Sequence, residues 1–204
     1  MKEEKIRALI LAAGKSTRMG RPKMDLPWEN TTILGAVIEH LYKGGIQEMS
    51  VVYNPEFKPC WEKDSHTLPI IEWIKIPFPE KGEMLESIKT GLNTLGENFT
   101  YAMICLGDQP GINPKIISGL INCAVETHAD LIFPSYNMRR GHPWMVRKNL
   151  WHAILSLDES KTVQTFIQQY EDRIKYVNFY HEQPVDIDTP DDYDKFRPDG
   201  EKRE

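Results

Sequence analysis

The chain has 204 residues, with 25 basic and 30 acidic side chains and a net charge of -5 at pH 7. This length suits one compact domain with a buried core, and the acidic balance gives no overall attraction for nucleic acid or an anionic membrane. The three cysteines form no CxxC pair, so neither a disulfide framework nor a zinc site is indicated, and we expect a reducing cytoplasm.

The first predicted elements are a strand, a polar loop and a helix. Residues 6–13 (IRALILAA) are mostly apolar without alternation, which predicts a strand covered on both faces in a parallel sheet. Before it, MKEEKIR mixes acids with cations and the apolar run is only a strand's length, so we expect no signal peptide and no membrane span. Residues 33–41 then place apolar side chains at helical spacing, with Thr31 or Thr32 as the cap.

Strands and helices continue to alternate along the chain. Further strands are predicted at 48–53, 70–76, 101–106, 130–134, 143–147 and 174–180, and helices at roughly 83–95, 114–128 and 160–171. This order predicts an α/β layered fold with a mainly parallel sheet, a single domain over residues 1–197 and a disordered tail at 198–204. Ligands of such folds bind beyond the carboxyl ends of the strands, so the residues there are the candidates for function.

The loop after the first strand is rich in small residues and cations. Gly14-Lys15-Ser16-Thr17 looks like the end of a P-loop, but the first glycine of that motif would fall on Leu9 inside the strand. Gly14 and Gly20 are also too far apart for the GxGxxG dinucleotide motif.

Small residues and cations together indicate an anion site in this loop. Small residues allow backbone N–H groups to approach a ligand closely, and the cationic side chains of Arg18, Arg21 and Lys23 can bind a polyphosphate. The structural alternative is that the basic loop is only solvated. The functional alternative is that the loop binds a triphosphate.

The sequence contains two acidic motifs. The first follows a predicted strand, and the second precedes a predicted helix. Asp108, in LGDQPG, comes directly after the strand at 101–106, where a carboxylate can hold Mg²⁺ on a nucleotide phosphate, although a simple turn also explains the sequence. In DIDTPDD, capping by Thr189 explains the residues from 189 onward but not Asp186 and Asp188. Period-two spacing puts these two on one face of an extended segment, so either could meet Asp108 across a cation.

These motifs resemble those of a known family. Residues 11–27 (LAAGKSTRMGRPKMDLP) are similar to LAAGxSxRMGxxKxLLP, the opening of the MobA-like NTP transferases that act on the molybdenum cofactor, and at the specified positions only Asp25 departs. GDQP and DIDTPDDY match further motifs of that family, and Gly141-His142-Pro143 matches its GHP.

The resemblance implies a Rossmann-like three-layer nucleotidyltransferase fold with a mostly parallel, mixed sheet, Mg²⁺ as cofactor and a cytoplasmic enzyme. The implied reaction moves a nucleoside monophosphate from a nucleoside triphosphate to a phosphorylated acceptor such as molybdopterin and releases pyrophosphate. It also implies the following roles: catalysis by Lys23, Arg18 and Asp108; nucleotide binding by Leu11, Ala12, Ala13, Gly14, Lys15, Ser16, Gly82 and Ser87; metal binding by Asp108 with Asp188 in preference to Asp186; and acceptor positioning by Gly141 and His142.

The substrates are assigned by the same resemblance. LAAG together with GDQP is typical of the cytidylyl branch, so CTP is the first choice and GTP the second. Guanylyl relatives carry glycine at the position of Ala13, and we expect the alanine methyl group to narrow the space for the base. A molybdoenzyme is a possible partner. The alternatives are a guanylyltransferase, a nucleotidyltransferase for another phosphorylated small molecule, and a non-catalytic accessory protein that binds the cofactor for a molybdenum hydroxylase.

Overall fold

The computed structural model describes residues 4–59, 69–77, 84–158, 160–180 and 183–198. Its strands are β1 (Ile6–Ala12), β2 (Pro27–Trp28), β3 (Thr31–Thr32), β4 (Glu48–Tyr53), β5 (Ile70–Lys75), β6 (Tyr101–Leu106), β7 (Leu131–Tyr136), β8 (Arg139–Arg140), β9 (Trp144–Arg147) and β10 (Ile174–Phe179). Its α-helices are α1 (Ile33–Lys43), α2 (Met84–Thr94), α3 (Pro114–Thr127), α4 (Trp151–Leu155), α5 (Val163–Gln169) and α6 (Pro190–Phe196). Short 3-10 helices lie at Lys23–Asp25, Pro55–Phe57, Lys148–Leu150 and Glu171–Arg173.

The central sheet is mixed and mostly parallel. Its strand order is β10-β7-β9-β6-β1-β4-β5, with β8 paired to β7, while β2 and β3 form a separate antiparallel pair. Pairs that include β8 or β9 are antiparallel, and the other pairs of the main sheet are parallel. This architecture confirms the predicted fold class.

Helices cover both faces of the sheet, which explains the unbroken apolar run of β1. Ala8 and Ile10 belong to the core cluster that contains α1 and α3, whereas Leu9 and Leu11 belong to the one that contains α2, α4 and α5. Successive side chains of a strand point to opposite faces, so a strand between two helical layers needs apolar residues at every position. Each fully buried aliphatic side chain contributes about 1.5–3 kcal/mol to folding.

Local signals set the ends of the helices. Thr32, rather than Thr31, caps α1, because its hydroxyl accepts from the Gly35 N–H at 3.0 Å. The helix ends at Gly44, where an added Cβ would lie 2.5 Å from Ile117 Cβ, so the absence of a side chain allows α1 to pack closely on α3.

The structure differs from the sequence prediction in several short elements. Helix α5 begins at Val163 rather than at about 160, because Thr162 forms a capping box with Thr165. The β2–β3 pair and α4 were not predicted at all. The predicted tail, apart from Pro198, lies outside the described residues. Within the described segments, no helix combines the length and the apolar character needed to cross a membrane.

Candidate functional site

Three loops meet at one edge of the central sheet. Strands β1, β4 and β6 are parallel neighbours, so their carboxyl ends lie side by side. The loop at 13–22 follows β1, the loop that begins at Asn54 follows β4, and the loop that begins at Gly107 follows β6. These strand ends form the candidate site that the fold predicts.

Gly107 brings the loop after β6 close to β1. Its N–H donates to the Leu11 carbonyl at 3.0 Å, and a Cβ at this position would lie 3.1 Å from that carbonyl oxygen and 3.2 Å from Ala12 Cβ. A larger residue would push the two loops apart. The close approach places Asp108 directly beside the end of β1.

Ser16 folds the loop after β1 back on itself. Its φ of 52° lies in the left-handed region, and its carbonyl accepts from the N–H groups of Met19 at 3.0 Å and Gly20 at 3.1 Å. Its hydroxyl accepts from the Lys23 N–H at 3.2 Å. These contacts turn the chain so that a short 3-10 helix begins at Lys23, near the strand ends.

Lys23 is the centre of the site. Its ammonium donates to Asp108 Oδ2 at 2.6 Å and to Asp188 Oδ1 at 2.7 Å, and its side chain is only 8% exposed. Arg18 donates through Nη2 to Asp188 Oδ2 at 2.8 Å, with a side chain that is 68% exposed. The structure therefore brings together four of the predicted residues, two cations and two carboxylates.

Burial and charge pairing act in opposite directions on these groups. Burial lowers the pKa of Lys23, but Asp108 and Asp188 outweigh it, and the pKa lies above the ordinary lysine value. Burial also raises the pKa of Asp108 above its usual range, against the opposing effect of Lys23. Burial likewise opposes ionisation of Asp188, but there Lys23 and Arg18 prevail and lower the pKa.

The C-terminal segment is bound to the loop after β6. The Ile187 N–H donates to the Asp108 carbonyl at 3.0 Å, and Gln109 Nε2 donates to Asp186 Oδ1 at 2.7 Å. The two acids that the sequence left open therefore have different partners, because Asp188 faces Lys23 and Asp186 faces Gln109. Asp188, the acid preferred from the sequence, is the one that faces the cations, and its role as a metal ligand stays a prediction.

A small apolar cluster lies beneath the charged groups and joins the loop after β1 to the C-terminal segment. Met19 and Ile187 are buried in it with Tyr193 of α6. The Tyr193 hydroxyl donates to the Pro27 carbonyl at 2.6 Å. Arg18 precedes Met19 in the sequence, and Asp188 follows Ile187. Because Met19 and Ile187 are buried in the same cluster, the distance between Arg18 and Asp188 is fixed.

Buried polar atoms without partners concentrate at this edge of the sheet. Native proteins satisfy most buried polar groups, so each exception needs an explanation, such as a ligand. Among the described residues, six buried side-chain nitrogen or oxygen atoms have no hydrogen-bond partner, and five of them lie at this edge, in loops or in the short strand β8: Asn54 Nδ2, Asp108 Oδ1, Gln109 Oε1, Arg140 Nη1 and His142 Nε2. The remaining one is Arg7 Nε near the start of β1.

Asn54 is a candidate that the sequence analysis missed. It is 1% exposed and follows β4 directly, beside the end of β1. Its Oδ1 accepts from the Glu56 N–H at 2.9 Å, which fixes the orientation of the amide and leaves Nδ2 as a donor. A polar residue directly after a buried strand is the only sequence signal that marks it.

His142 and Gly141 lie after the β7–β8 hairpin. The Tyr136 hydroxyl donates to the His142 carbonyl at 3.0 Å, and an added Cβ at Gly141 would lie 2.8 Å from the Tyr136 ring. Burial lowers the pKa of His142 to about 4, although the nearby Asp108 carboxylate opposes this effect. The imidazole is therefore uncharged at neutral pH.

The position of Ala13 bears on the expectation that its methyl group narrows the space for the base. Its side chain is 6% exposed and packs in an apolar cluster with Val52, Ile74 and Ile76. The methyl group fills space in the protein core at the end of β1, and the expectation that it narrows the space for the base stays a prediction.

The remaining predicted nucleotide residues are spread around the strand ends. Leu11 and Ala12 are buried at the end of β1, while Gly14 and Lys15 are exposed on the loop. Ser87 is buried on α2, and Gly82 lies outside the described residues.

The carboxylates of the site are suited to a metal ion that takes its remaining ligands from a substrate. No group of three or more histidine, cysteine or acidic side chains placed to hold a metal occurs in the described part of the chain. Asp108 and Asp188 nevertheless flank one ammonium, and Asp108 Oδ1 is buried without a partner among the described residues. One or two carboxylates completed by substrate phosphates is the arrangement in which Mg²⁺ is usually bound.

Comparison with known proteins identifies the family of the chain. Residues 8–174 match the MobA-like NTP transferase domain. The chain is 28% identical over 191 residues to the molybdenum cofactor cytidylyltransferase of Escherichia coli K12, covering 92% of this chain and 93% of that protein. It is 27% identical over 128 residues to a probable molybdenum cofactor guanylyltransferase of Mycolicibacterium paratuberculosis, covering 62% of this chain.

The match to several curated relatives is partial. It covers 61% of the length of the Mycolicibacterium paratuberculosis protein, which is less than two thirds. Among solved structures, Rv0371c from Mycobacterium tuberculosis H37Rv in complex with manganese has a TM-score of 0.74 at 21% identity, with 95% of this chain and 98% of that chain covered. The likeness to that structure shows the shared fold.

Proposed function

Because the chain belongs to the MobA-like NTP transferase family, we propose that it moves a nucleoside monophosphate from a nucleoside triphosphate to a phosphorylated acceptor and releases pyrophosphate. The observation that carries the proposal is the buried ammonium of Lys23 between Asp108 and Asp188, at the end of a glycine-containing loop. Nucleotidyl transfer needs cations for the triphosphate and carboxylates for a divalent ion more than it needs an acid or a base.

In the proposed reaction, an oxygen of the acceptor phosphate attacks the α-phosphorus of the nucleotide. The bond from that phosphorus to its bridging oxygen breaks, and the electron pair leaves with pyrophosphate. A phosphate nucleophile is already ionised, so the protein has to align two anions and neutralise their charge. We assign the α-phosphate to Lys23, which exchanges a carboxylate partner for it, and the β- and γ-phosphates to the exposed Arg18.

We propose Mg²⁺ as the metal, held by Asp108 and Asp188. When bound, the ion supplies further positive charge against the transferring phosphate. The unpartnered Oδ1 of Asp108 and the presence of two facing carboxylates support this assignment. The manganese in the structure of a protein of the same fold is consistent with a divalent ion.

We propose CTP as the preferred nucleotide. Its support is the relative named molybdenum cofactor cytidylyltransferase, which the chain matches over nearly its full length, and the paired LAAG and GDQP motifs. We assign the Asn54 amide donor, which is buried beside the end of β1, to a carbonyl oxygen or ring nitrogen of the base. Relatives named as guanylyltransferases make GTP the second candidate.

The proposed acceptor is molybdopterin or another phosphorylated small molecule. His142 and Gly141 are assigned to the acceptor side, because the uncharged imidazole lies near Asp108 and leaves Nε2 without a partner among the described residues. A molybdoenzyme that receives the product is the proposed protein partner. The names of the molybdenum cofactor relatives support the choice of acceptor.

The decisive experiment measures pyrophosphate release. The protein is incubated with molybdopterin and Mg²⁺ and, separately, CTP, GTP, ATP or UTP, with reactions lacking the acceptor as controls. We expect the fastest release with CTP and dependence on the acceptor. Faster release with GTP would overturn the nucleotide assignment, and tight binding of molybdopterin without release would favour a non-catalytic accessory protein.

A further inference from the structure

Gln109 is a buried polar residue for which the proposed reaction has no role. It lies between Asp108 and Pro110 in the loop after β6 and is 2% exposed. Burial of an amide without hydrogen bonds is costly, so both ends of its side chain require a partner. The structure provides one for Nε2 but, among the described residues, none for Oε1.

The partner of Gln109 determines which way its amide points. Nε2 donates to Asp186 Oδ1 at 2.7 Å, and an ionised carboxylate can only accept. The opposite orientation would place two oxygens against each other, so the amide is fixed with Oε1 on the far side. That oxygen is an acceptor, which means that it requires an N–H or O–H donor.

The C-terminal segment connects Gln109 with the loop at Gly141, which we propose positions the acceptor. The segment that carries Asp186 also carries Gln183, whose Nε2 would lie 3.1 Å from a Cβ added at Gly141. Gly141 is followed by His142, whose Nε2 also has no partner among the described residues. Gln109 follows Asp108 directly and His142 lies near the Asp108 carboxylate, so two uncharged hydrogen-bonding groups lie close to that carboxylate.

We propose that Gln109 is a specificity-determining residue, whose side-chain carbonyl accepts a hydrogen bond from an N–H or O–H group of the acceptor substrate. Asp186 is a positioning residue that fixes the orientation of the amide, and it is not a metal ligand. The inference rests on the proposed function for the identity of the reaction. It adds that the acceptor carries a hydrogen-bond donor near the phosphate that attacks.

A purely structural role makes a different prediction. If Gln109 only held the C-terminal segment against the loop after β6, its loss would displace Asp188 and weaken metal binding together with turnover. A substrate-reading role instead changes the affinity for the acceptor and leaves the metal and the nucleotide unaffected. The KM for the acceptor and the affinity for Mn²⁺ therefore separate the two roles.

The test uses Gln109→Met, which keeps the length of the side chain without its amide, and Asp186→Asn, which can donate as well as accept. Gln168→Met, at an exposed glutamine of α5, is the control. Binding of molybdopterin and of methylerythritol phosphate is measured by calorimetry without nucleotide, and KM values are measured by pyrophosphate release. Mn²⁺ binding is measured separately.

We expect Gln109→Met to raise the acceptor Kd and KM about 10- to 100-fold, since a buried partner of the ligand is lost, while nucleotide KM and Mn²⁺ affinity stay within about twofold. Asp186→Asn should raise the same acceptor constants by a smaller factor. Unchanged acceptor binding in Gln109→Met, weakened Mn²⁺ binding, or binding of neither probe by the wild type would overturn the inference. Acceptor binding without pyrophosphate release would overturn the proposed function instead, and the binding constants would still test Gln109.

Discussion

Replacement of Lys23 by methionine removes the ammonium at the centre of the site and keeps a side chain of similar length. The side chains of Lys23, Asp108 and Asp188 are 8%, 19% and 27% exposed, so the variant leaves two partly buried carboxylates facing each other. Removing one partner of a buried ion pair costs about 3–5 kcal/mol. Because Asp188 keeps Arg18 as a partner, we expect the lower end, about 3 kcal/mol at pH 7.

The loss should depend on pH and on divalent metal. The pKa of Lys23 is raised in the fold, so its stabilisation is fully present below the ordinary lysine pKa and is lost only as the pH rises through the higher value. In the variant, the pKa of Asp108, already raised by burial, rises further without the ammonium, and protonation removes the repulsion as the pH falls. The difference from the wild type should therefore shrink as the pH is lowered from 7.

Urea unfolding with and without Mg²⁺ measures this effect, and thermal unfolding should show a decrease in Tm of about 6–12 °C for a chain of this size. Mg²⁺ should stabilise Lys23→Met more than it stabilises the wild type, because the ion neutralises the same carboxylates. Lys43→Met is the control, since Lys43 is 59% exposed and its surface contact with Glu39 contributes about 0–1 kcal/mol. Equal stability of Lys23→Met and the wild type at pH 7 would refute the reasoning. A difference in stability that changes with neither pH nor Mg²⁺ would also refute it.

The other predictions concern turnover. Asp108→Asn should lower kcat by about a thousandfold while the protein stays folded, because the carboxylate is the proposed metal ligand and contributes little to packing; circular dichroism and pyrophosphate release check both parts. Asn54→Ala should raise the nucleotide KM about tenfold with kcat nearly unchanged, and an effect on kcat alone would exclude base recognition. Lys15→Ala should change kcat much less than Lys23→Met does, whereas a P-loop would make Lys15 the essential lysine.

The main elements of the fold were predictable because their signals are local. The apolar run of β1, the helical spacing of α1 and the Thr189-Pro190 start of α6 each lie within a few consecutive residues. The missed β2–β3 pair has both a local and a distant partner. Strand β2 pairs with β3 a few residues along, but Trp28 also packs against Tyr193, which lies far outside any short window of sequence.

The candidate site was predictable as a set of loops but not as a set of contacts. The topology rule places residues after β1 and β6 at one edge, and the resemblance to the family selected Lys23 and Asp108 among them. The two partners of Lys23 lie 85 and 165 residues away in sequence, and no spacing rule joins them. Asn54 was not predicted as a site residue, because a single asparagine after a strand is also a common turn residue.

The assignment of Asp186 and Asp188 shows why spacing alone could not settle the metal site. Alternation correctly puts both acids on the side opposite Ile187, which is 1% exposed in the apolar cluster with Met19. Their partners depend on how the segment lies along the loop after β6, and the hydrogen bond from Ile187 to the Asp108 carbonyl fixes that alignment. One acid then faces the cations and the other faces Gln109, and we propose that these two residues of the same type serve different substrates of one reaction.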